Sequence, residues 1–215
     1  MSRDVWAAVP VKEFAGAKQR LSPLLTPAQR HALAAAMLQD VLAALAGASL
    51  AGIMVNTADP EAAALARAYG ARVVSEDARA GHTAAVAAMA RILAGEGAKA
   101  MLTCPGDIPL VTAAEVAAVL DTHRDAPAFT IVPAHDGRGS NAVLLSPPDL
   151  VALRFGDDSF LPHLAAARRR GLEPSVVRPQ GIGLDIDNPE DAHAVLRIAP
   201  GRGARAVELL RAIIS

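Results

Sequence analysis

Short apolar runs alternate with helix-forming segments along this chain, and that order limits its fold more than any other feature. Four early runs have the length of buried strands, at residues 5–11, 52–57, 71–76 and 99–104. A segment of helical character follows each of them, and the first of these segments opens with the capping-box residues Thr26 and Gln29. The alternation predicts an α/β fold, a mostly parallel open sheet with helices on both faces. Since no linker or change of composition divides the chain, we expect residues 1–215 to form a single domain.

The second half of the chain departs from strict alternation. Two apolar runs, residues 128–134 and 141–147, follow one another with a glycine-rich turn between them, which predicts a hairpin or a bend. Helical segments are then expected from residue 160, after residue 188 and over residues 204–214.

Composition excludes several classes of function. The chain has 21 Lys and Arg against 22 Asp and Glu, and only 3% of its residues are aromatic, so we expect neither nucleic acid nor a membrane surface as a partner. Its single cysteine excludes an intramolecular disulfide and a cysteine-based zinc site. The first ten residues lack the apolar stretch of a signal peptide, so a cytoplasmic location is expected.

The loop after the first strand is basic. Ligands of open α/β sheets bind at the carboxyl ends of the strands, so the loops that follow strands are the candidate sites. Lys12, Lys18 and Arg20 lie close together in this loop among small residues, which would let backbone N–H groups approach an anion. The alternative is an exposed loop without a ligand, but its position after the first strand favours a phosphate site. It is not a Walker A loop.

A helix start follows the third strand. Gly81, His82 and Thr83 begin a helical segment there, and a helix N-terminus with a threonine can bind a base edge or a phosphate. We predict that Gly81 and Thr83 contact a nucleotide; the alternative is that Thr83 simply caps the helix and His82 lies at the surface.

Three carboxylates follow later strands and predict a metal site. Asp107 lies in "CPGDIPL", directly after an apolar run, and Thr112 is already available to cap the next helix. Asp185 and Asp187 are two residues apart, so in an extended segment their side chains point the same way and repel without a cation between them. Either Asp187 or Asn188 is expected to cap the helix that begins with Pro189. Carboxylates from Asp107, Asp185 and Asp187 would form an all-oxygen site suited to Mg²⁺.

The basic loop and the three carboxylates together suggest nucleotidyl transfer. Cations can hold a triphosphate, while a metal ion neutralises the charge that develops as pyrophosphate leaves. The residues that we predict to be catalytic are Lys12, Lys18, Arg20 and Asp107.

Five motifs, in this order, are similar to those of one enzyme family. They are "VPVKEFAGAKQRLS", "CPGDIPL", "GRGSNAVLLSPP", "RFGDDSFLPHLAAARRRG" and "GLDIDNPEDA", and the similarity spans roughly residues 5–196. The chain thus resembles the guanylyltransferases of deazaflavin-coenzyme biosynthesis. These attach GMP from GTP to 2-phospho-L-lactate, phosphoenolpyruvate or 3-phospho-D-glycerate. The resemblance implies a nucleotide-diphospho-sugar transferase-like sheet, with GTP and a small phosphorylated acid as partners.

The resemblance also implies particular site residues. The family's metal carboxylates match Asp107, Asp185 and Asp187, and its basic positions match Lys12, Lys18 and Arg20. Its contacts to the acid match Ser140, where the family usually has threonine, Gly156 and Ser159. The alternative for the last two is that Gly156 makes a turn and Ser159 only caps a helix.

Two departures and three open questions accompany the resemblance. The chain has "GHTAAV" at residues 81–86, where the family often has "GLNAAL", which leaves base specificity open, and "PGDI" replaces the more usual "PADL" at residues 105–108. Another nucleotidyltransferase of the same fold, acting on a molybdenum cofactor or a sugar phosphate, and a non-catalytic GTP-binding regulator are the alternative functions. The preferred acid and the oligomeric state stay open, with a homodimer as one alternative.

Overall fold

Seven strands form one sheet in the computed structural model, which describes residues 4–199 and 203–214. In chain order they are β1 (Val5–Pro10), β2 (Gly52–Asn56), β3 (Arg72–Val74), β4 (Ala100–Thr103), β5 (Ala128–Pro133), β6 (Ser140–Ser146) and β7 (Ser175–Val176). Across the sheet the order is β3-β2-β1-β4-β6-β5-β7. The helices are α1 (Pro27–Ala46), α2 (Pro60–Ala68), α3 (His82–Gly95), α4 (Ala113–Thr122), α5 (Phe160–Arg169), α6 (Gln180–Gly183), α7 (Pro189–Ile198) and α8 (Arg205–Ile214).

The predicted α/β fold with a mostly parallel sheet is confirmed. β1 pairs in parallel with β2 on one side and with β4 on the other, and β3 and β7 also join the sheet in parallel. β6 is the exception, since it runs antiparallel to both of its neighbours, β4 and β5. Residues 128–134 and 141–147 therefore form a hairpin rather than a bend. Its second strand, β6, inserts between β4 and β5.

Local capping explains where several of the helices begin. Thr26 and Gln29 form the predicted capping box of α1, and Thr112 and Glu115 form the one of α4. Side chains at these positions satisfy N–H groups that a helix start would otherwise leave without a partner. α7 is capped by Asn188, so the carboxylate of the preceding Asp187 remains free for another contact.

The core lies on both faces of the sheet because alternate residues of each strand point to opposite sides. In β1, Ala7 and Val9 pack with side chains of α1, α2 and α4, whereas Ala8 packs with those of α3 and α5. A third cluster of buried side chains joins α1 to α7 and α8. Within residues 4–199 and 203–214, every helix lacks the length or the apolar character that a membrane span requires.

The segment that contains α6 is anchored closely against the start of α4. The N–H of Gly181 donates to the Glu115 carboxylate at 2.7 Å, and a Cβ at Gly181 would overlap both that carboxylate and the Leu110 carbonyl oxygen. Further along, the N–H of Ile186 donates to the backbone oxygen of Asp107 at 3.2 Å. These contacts bring residues 181–187 to the carboxyl end of β4, next to the predicted metal carboxylates.

A buried carboxylate fastens the C-terminal helix. Asp40 of α1 accepts hydrogen bonds from the N–H groups of Arg205 at 3.0 Å and Ala206 at 2.9 Å, and thereby satisfies the first turn of α8. We predict that Asp40→Ala lowers the free energy of unfolding by about 1–2 kcal/mol, the usual cost of removing a helix cap. Denaturant unfolding measures this change, and Asp121→Ala, at an exposed helix position, is the control. Equal stability of the two variants would contradict the assignment.

Candidate active site

The ammonium group of Lys18 joins two of the predicted carboxylates. Its Nζ lies 2.6 Å from Oδ2 of Asp107 and 2.7 Å from Oδ1 of Asp187, which are 89 and 169 residues away in the sequence. Lys18 lies in the loop between β1 and α1 and has a left-handed backbone, with φ of 53°. One cation therefore connects the loops after β1 and β4 with the segment before α7.

Charge dominates the behaviour of this lysine. Burial by itself would lower the pKa of the Lys18 ammonium, but the negative charges of Asp107 and Asp187 outweigh it and hold the pKa well above its usual value. Asp187 responds in the opposite sense: burial would raise the pKa of its carboxyl, whereas Lys18, and then Arg20 and Lys12, lower it. Both partners are thus charged at neutral pH.

The third carboxylate lies beside this pair. Asp185 accepts a hydrogen bond from the Asn141 amide at 3.0 Å, and burial, followed by the negative charges of Asp107 and Asp187, raises the pKa of its carboxyl. The structure therefore brings all three predicted acids into one electrostatic neighbourhood. Asp107 and Asp187 share the Lys18 ammonium, while Asp185 is held separately.

The carboxylates suit a cation, because a cation already contacts two of them. The Lys18 ammonium is bound by one oxygen of Asp107 and one of Asp187, both of which are ligand atoms that Mg²⁺ prefers. Across the residues that the structure describes, however, no group of three or more His, Cys, Asp or Glu side chains is close enough to hold a metal ion. The carboxylate oxygens are nevertheless of the chemical type that Mg²⁺ prefers, so the donor chemistry at this site fits that metal.

The other two predicted cations line the rim of this site. Lys12 and Arg20 are exposed, and both are close enough to Asp187 to lower the pKa of its carboxyl. The positive charge of Lys12 also lowers the pKa of the His82 imidazole. The basic loop therefore faces the acidic residues, although within the described residues only Lys18 makes a direct ion pair with them.

At the start of α3 the structure differs from a simple threonine cap. Gly81 is the N-cap residue, with φ of 102°, and Thr83 instead accepts a hydrogen bond from the Phe155 N–H at 3.0 Å. His82 is half-buried, and its ring contacts that of Phe155 at 4.4 Å between centroids. Burial lowers the pKa of His82 to about 4, with Lys12 adding to the effect and Asp107 opposing it. The Gly81–Thr83 segment thus lies between the acidic residues and Phe155.

The residues expected to contact an acid form a second polar region. The hydroxyls of Ser140, at the start of β6, and Ser159, at the N-cap of α5, lie 3.2 Å apart and are both buried. Ser159 makes no side-chain cap to its own helix, so capping does not explain it. At Gly156 a Cβ would meet nothing within 4 Å, and the backbone is not in the left-handed region, so the turn itself does not require glycine.

His163 was not singled out in the sequence, yet it lies at the centre of this second region. Its Nδ1 is 3.0 Å from the Ser140 hydroxyl, and its Nε2 accepts the Arg154 N–H at 3.0 Å. The spacing offered a signal, since His163 lies four residues after Ser159, which places both on one side of a helix. The spacing could not reveal that Ser140 would lie against the same side.

Two links join the acidic residues to the hydroxyl groups. Ser140 and Asn141 are consecutive in β6, and the first contacts Ser159 while the second contacts Asp185. His82 forms the other link, because its ring packs at a tilt of 49° against that of Phe155 and it lies within electrostatic range of Asp107. The site therefore has a charged part, able to hold a polyanion with a cation, next to a part with buried hydroxyl donors, able to hold a smaller anion.

Comparison with known proteins finds a family model described as "Guanylyl transferase CofC like" that matches residues 5–214. A phosphoenolpyruvate guanylyltransferase from Rubrobacter xylanophilus is 41% identical over 188 residues, which cover 87% of this chain and 91% of the relative. A 2-phospho-L-lactate guanylyltransferase from Methanothermobacter thermautotrophicus is 37% identical over 205 residues, covering 95% and 89%. A 3-phospho-D-glycerate guanylyltransferase from Phenylobacterium zucineum is 37% identical over 209 residues, covering 95% and 94%.

The fold has counterparts among solved structures. A protein from Desulfovibrio desulfuricans G20, assigned as a nucleotide-diphospho-sugar transferase, superposes with a TM-score of 0.80 at 20% identity, covering 99% of this chain and 95% of that one. The predicted resemblance to the nucleotide-diphospho-sugar transferase sheet is confirmed.

The shared ammonium leads to a prediction about stability. Lys18→Met leaves two carboxylates facing each other without a cation, and we expect the free energy of unfolding at neutral pH to fall by about 1–3 kcal/mol. Fully buried pairs cost more when broken, but the Asp107 and Asp187 side chains are 29% and 45% exposed. Lys99→Met removes the same charge from an exposed position and is the control, with an expected change of less than about 0.5 kcal/mol.

The pH dependence of this difference has a definite sign. Asp187 has a lowered pKa, so its contribution to stability is present above its ordinary pKa of 3.8 and is lost as the pH falls through the lower folded value. The gap between the wild type and Lys18→Met should therefore narrow between neutral pH and about pH 3. A gap that stays constant over this range, measured by thermal unfolding, would show that the ion pair does not stabilise the fold.

Proposed function

The chain belongs to the CofC-like guanylyl transferases, and we propose that it joins GMP from GTP to the phosphate of a small phosphorylated acid, with release of pyrophosphate. The single observation that carries the proposal is the charged site beside the buried hydroxyls, within a chain matched to this family over residues 5–214. The names of its relatives divide among phosphoenolpyruvate, 2-phospho-L-lactate and 3-phospho-D-glycerate, so any of these three acids is a candidate. The family resemblance places the product in the assembly of a deazaflavin coenzyme.

The basic loop is the proposed triphosphate site. Lys12 and Arg20 are exposed at the rim, and their positive charges lower the pKa of the Asp187 carboxyl. Lys18 is the buried cation of the same loop. An Arg guanidinium can grip two phosphate oxygens at once, which a lysine cannot do. Gly81 and Thr83, at the start of α3, complete the proposed nucleotide contacts.

The three carboxylates are the proposed Mg²⁺ ligands. When bound, Mg²⁺ would neutralise phosphate charge and stabilise the charge that develops on the leaving pyrophosphate. Asp107, Asp185 and Asp187 would hold it, and burial together with the negative charges of Asp107 and Asp187 raises the pKa of the Asp185 carboxyl, so a cation beside these three groups would be favoured. The Lys18 ammonium would add a further positive charge toward the phosphate oxygens.

The reaction requires no nucleophile from the protein, because the phosphate of the acid is already ionised at neutral pH. A phosphate oxygen of the acid forms a bond to the α-phosphorus of GTP. The bond from that phosphorus to the oxygen that bridges it to the β-phosphorus breaks, and pyrophosphate leaves with this oxygen. The residues of this chain contribute by holding the two anions in line and by balancing their charges.

Two further proposals come from the sequence alone: residues 1–215 form a single domain, and a homodimer is one alternative for the oligomeric state.

One assay separates this function from its alternatives. Pyrophosphate release is measured with GTP and Mg²⁺ in the presence of each of the three acids, of a sugar phosphate and of a molybdenum-cofactor precursor. CTP and ATP replace GTP in parallel, and GTP binding is measured separately. Release that depends on GTP and on one of the acids supports the proposal. Release only with a sugar phosphate or a molybdenum-cofactor precursor indicates another nucleotidyltransferase of this fold, and GTP binding without any turnover indicates a regulator.

Asp107 provides the first prediction from this proposal. Asp107→Asn removes a charge and an oxygen ligand, and we expect turnover to fall at least about 100-fold, as when one main transition-state stabiliser is deleted. Binding of Mn²⁺, followed by water proton relaxation, should weaken in the same variant. Asp125→Asn is the matched control, since Asp125 is exposed in the loop before β5. Near-normal turnover by a folded Asp107→Asn protein would contradict the assignment of Asp107 to the site.

Gly156 provides the second prediction. Because a Cβ there would enter open space, Gly156→Val should leave the fold intact while its side chain occupies the proposed acid site. We expect the KM for the acid to rise at least about 10-fold and the KM for GTP to stay near its wild-type value. Gly95→Val is the control, since Gly95 also has open space around it and lies at the end of α3. Unchanged kinetics with both substrates would place the acid elsewhere.

A further inference from the structure

His163 is buried beside the proposed acid site, but the reaction as described above gives it no role. It is 1% exposed, and both of its ring nitrogens have hydrogen-bonding partners. We propose that His163 is a positioning residue that directs the hydroxyl proton of Ser140 toward the phosphorylated acid. This inference rests on the proposed function and names a residue through which the acid would be recognised.

The contacts of the imidazole determine its tautomer. The Arg154 N–H lies 3.0 Å from Nε2, and because a backbone N–H can only donate, Nε2 carries no proton. Burial lowers the pKa of His163 to about 4, so the ring is neutral at physiological pH and has a single N–H proton. That proton must lie on Nδ1, which therefore donates to the Ser140 hydroxyl oxygen at 3.0 Å.

Counting donors shows what remains for a ligand. His163, Ser140 and Ser159 together have one N–H and two O–H donors, and two hydrogen bonds connect them. The N–H of His163 forms one of these bonds, and a single serine hydroxyl forms the other. The Ser159 hydroxyl donates to the Ser140 oxygen, so the O–H that remains without an acceptor inside the trio is that of Ser140.

The location makes this remaining donor significant. Ser140 is 9% exposed and Ser159 is 4% exposed, so water has little access to satisfy their hydroxyls. A buried donor without an acceptor is costly, and a hydrogen bond from it to a charged acceptor is worth more than one to a neutral group. An anion beside Gly156, where a side chain would meet only open space, would supply that acceptor.

The surroundings hold the imidazole in this orientation. Phe155 packs edge-on against the His163 ring at 5.1 Å between centroids, and its own N–H is bound by Thr83. The backbone N–H of His163 donates to the backbone carbonyl oxygen of Ser159 within the first turn of α5. Rotation of the ring would break the bond from Arg154, so the donor toward Ser140 is fixed by contacts on both sides.

Two amide variants separate positioning from a structural role. An asparagine amide at residue 163 can place a donor near the position of Nδ1, whereas a glutamine amide can place an acceptor near the position of Nε2. His163→Asn thus keeps the donor toward Ser140 and loses the acceptor for Arg154, and His163→Gln does the reverse. If His163 only supports the fold, the variant that is less stable will also be the one with the poorer kinetics.

The proposal predicts a crossed result. We expect His163→Gln to raise the KM for the acid about 10-fold or more, and His163→Asn to keep it within about 3-fold of the wild type, although His163→Gln is the more stable of the two. The KM for GTP should change little in either variant. In the Ser140→Ala background, His163→Gln should add little further loss, because both changes remove the same directed proton. Equal effects of the two amides on the acid, or additive losses with Ser140→Ala, would overturn the proposal.

A measurement on the free protein tests the tautomer without any substrate. In ¹⁵N-histidine-labelled protein at neutral pH, the signals that disappear in His163→Gln belong to His163, and the proton should be found on Nδ1. A proton on Nε2 would overturn the proposal whatever the enzyme does. If the wild type releases no pyrophosphate with any of the acids, the proposed function fails and this inference fails with it. If turnover is normal and only the crossed result is missing, the inference alone is wrong.

Discussion

One ammonium group holds together loops that the chain separates widely. Lys18 reaches Asp107 and Asp187 at 2.6 and 2.7 Å, and these two carboxylates lie 89 and 169 residues after it in the sequence. Without that cation, like charges would face each other at the carboxyl ends of the central strands. The parallel order around β1 makes the meeting possible, because it brings the loops after β1 and β4 to one edge of the sheet.

Helix caps leave the functional side chains free for their contacts. Asn188 caps α7, so Asp187 can pair with Lys18, and Thr112 caps α4, so Asp107 is not needed there. Gly81 begins α3 without a side-chain cap, and the Thr83 hydroxyl is used to bind Phe155 instead. The same residues that end loops and begin helices therefore decide which polar groups remain to meet a ligand.

The charged region and the hydroxyl region are parts of one structure. β6 contributes Asn141 to the charged region and Ser140 to the hydroxyl region, and His82 of α3 lies between the two regions. This proximity suits a reaction between two anions, because each can be held and neutralised separately before they meet.

The sequence by itself determined the local structure: the alternation of strands and helices, the capping boxes of α1 and α4, and the loops in which charged side chains lie. These follow from interactions within a few residues, which is why they could be predicted. The tertiary structure alone decided that β6 inserts beside β4, that Lys18 pairs with Asp107 and Asp187, and that His163 meets Ser140. Those contacts join residues 23 to 169 positions apart, and no spacing along the chain specifies them, since they arise only when the packed sheet brings its loops together.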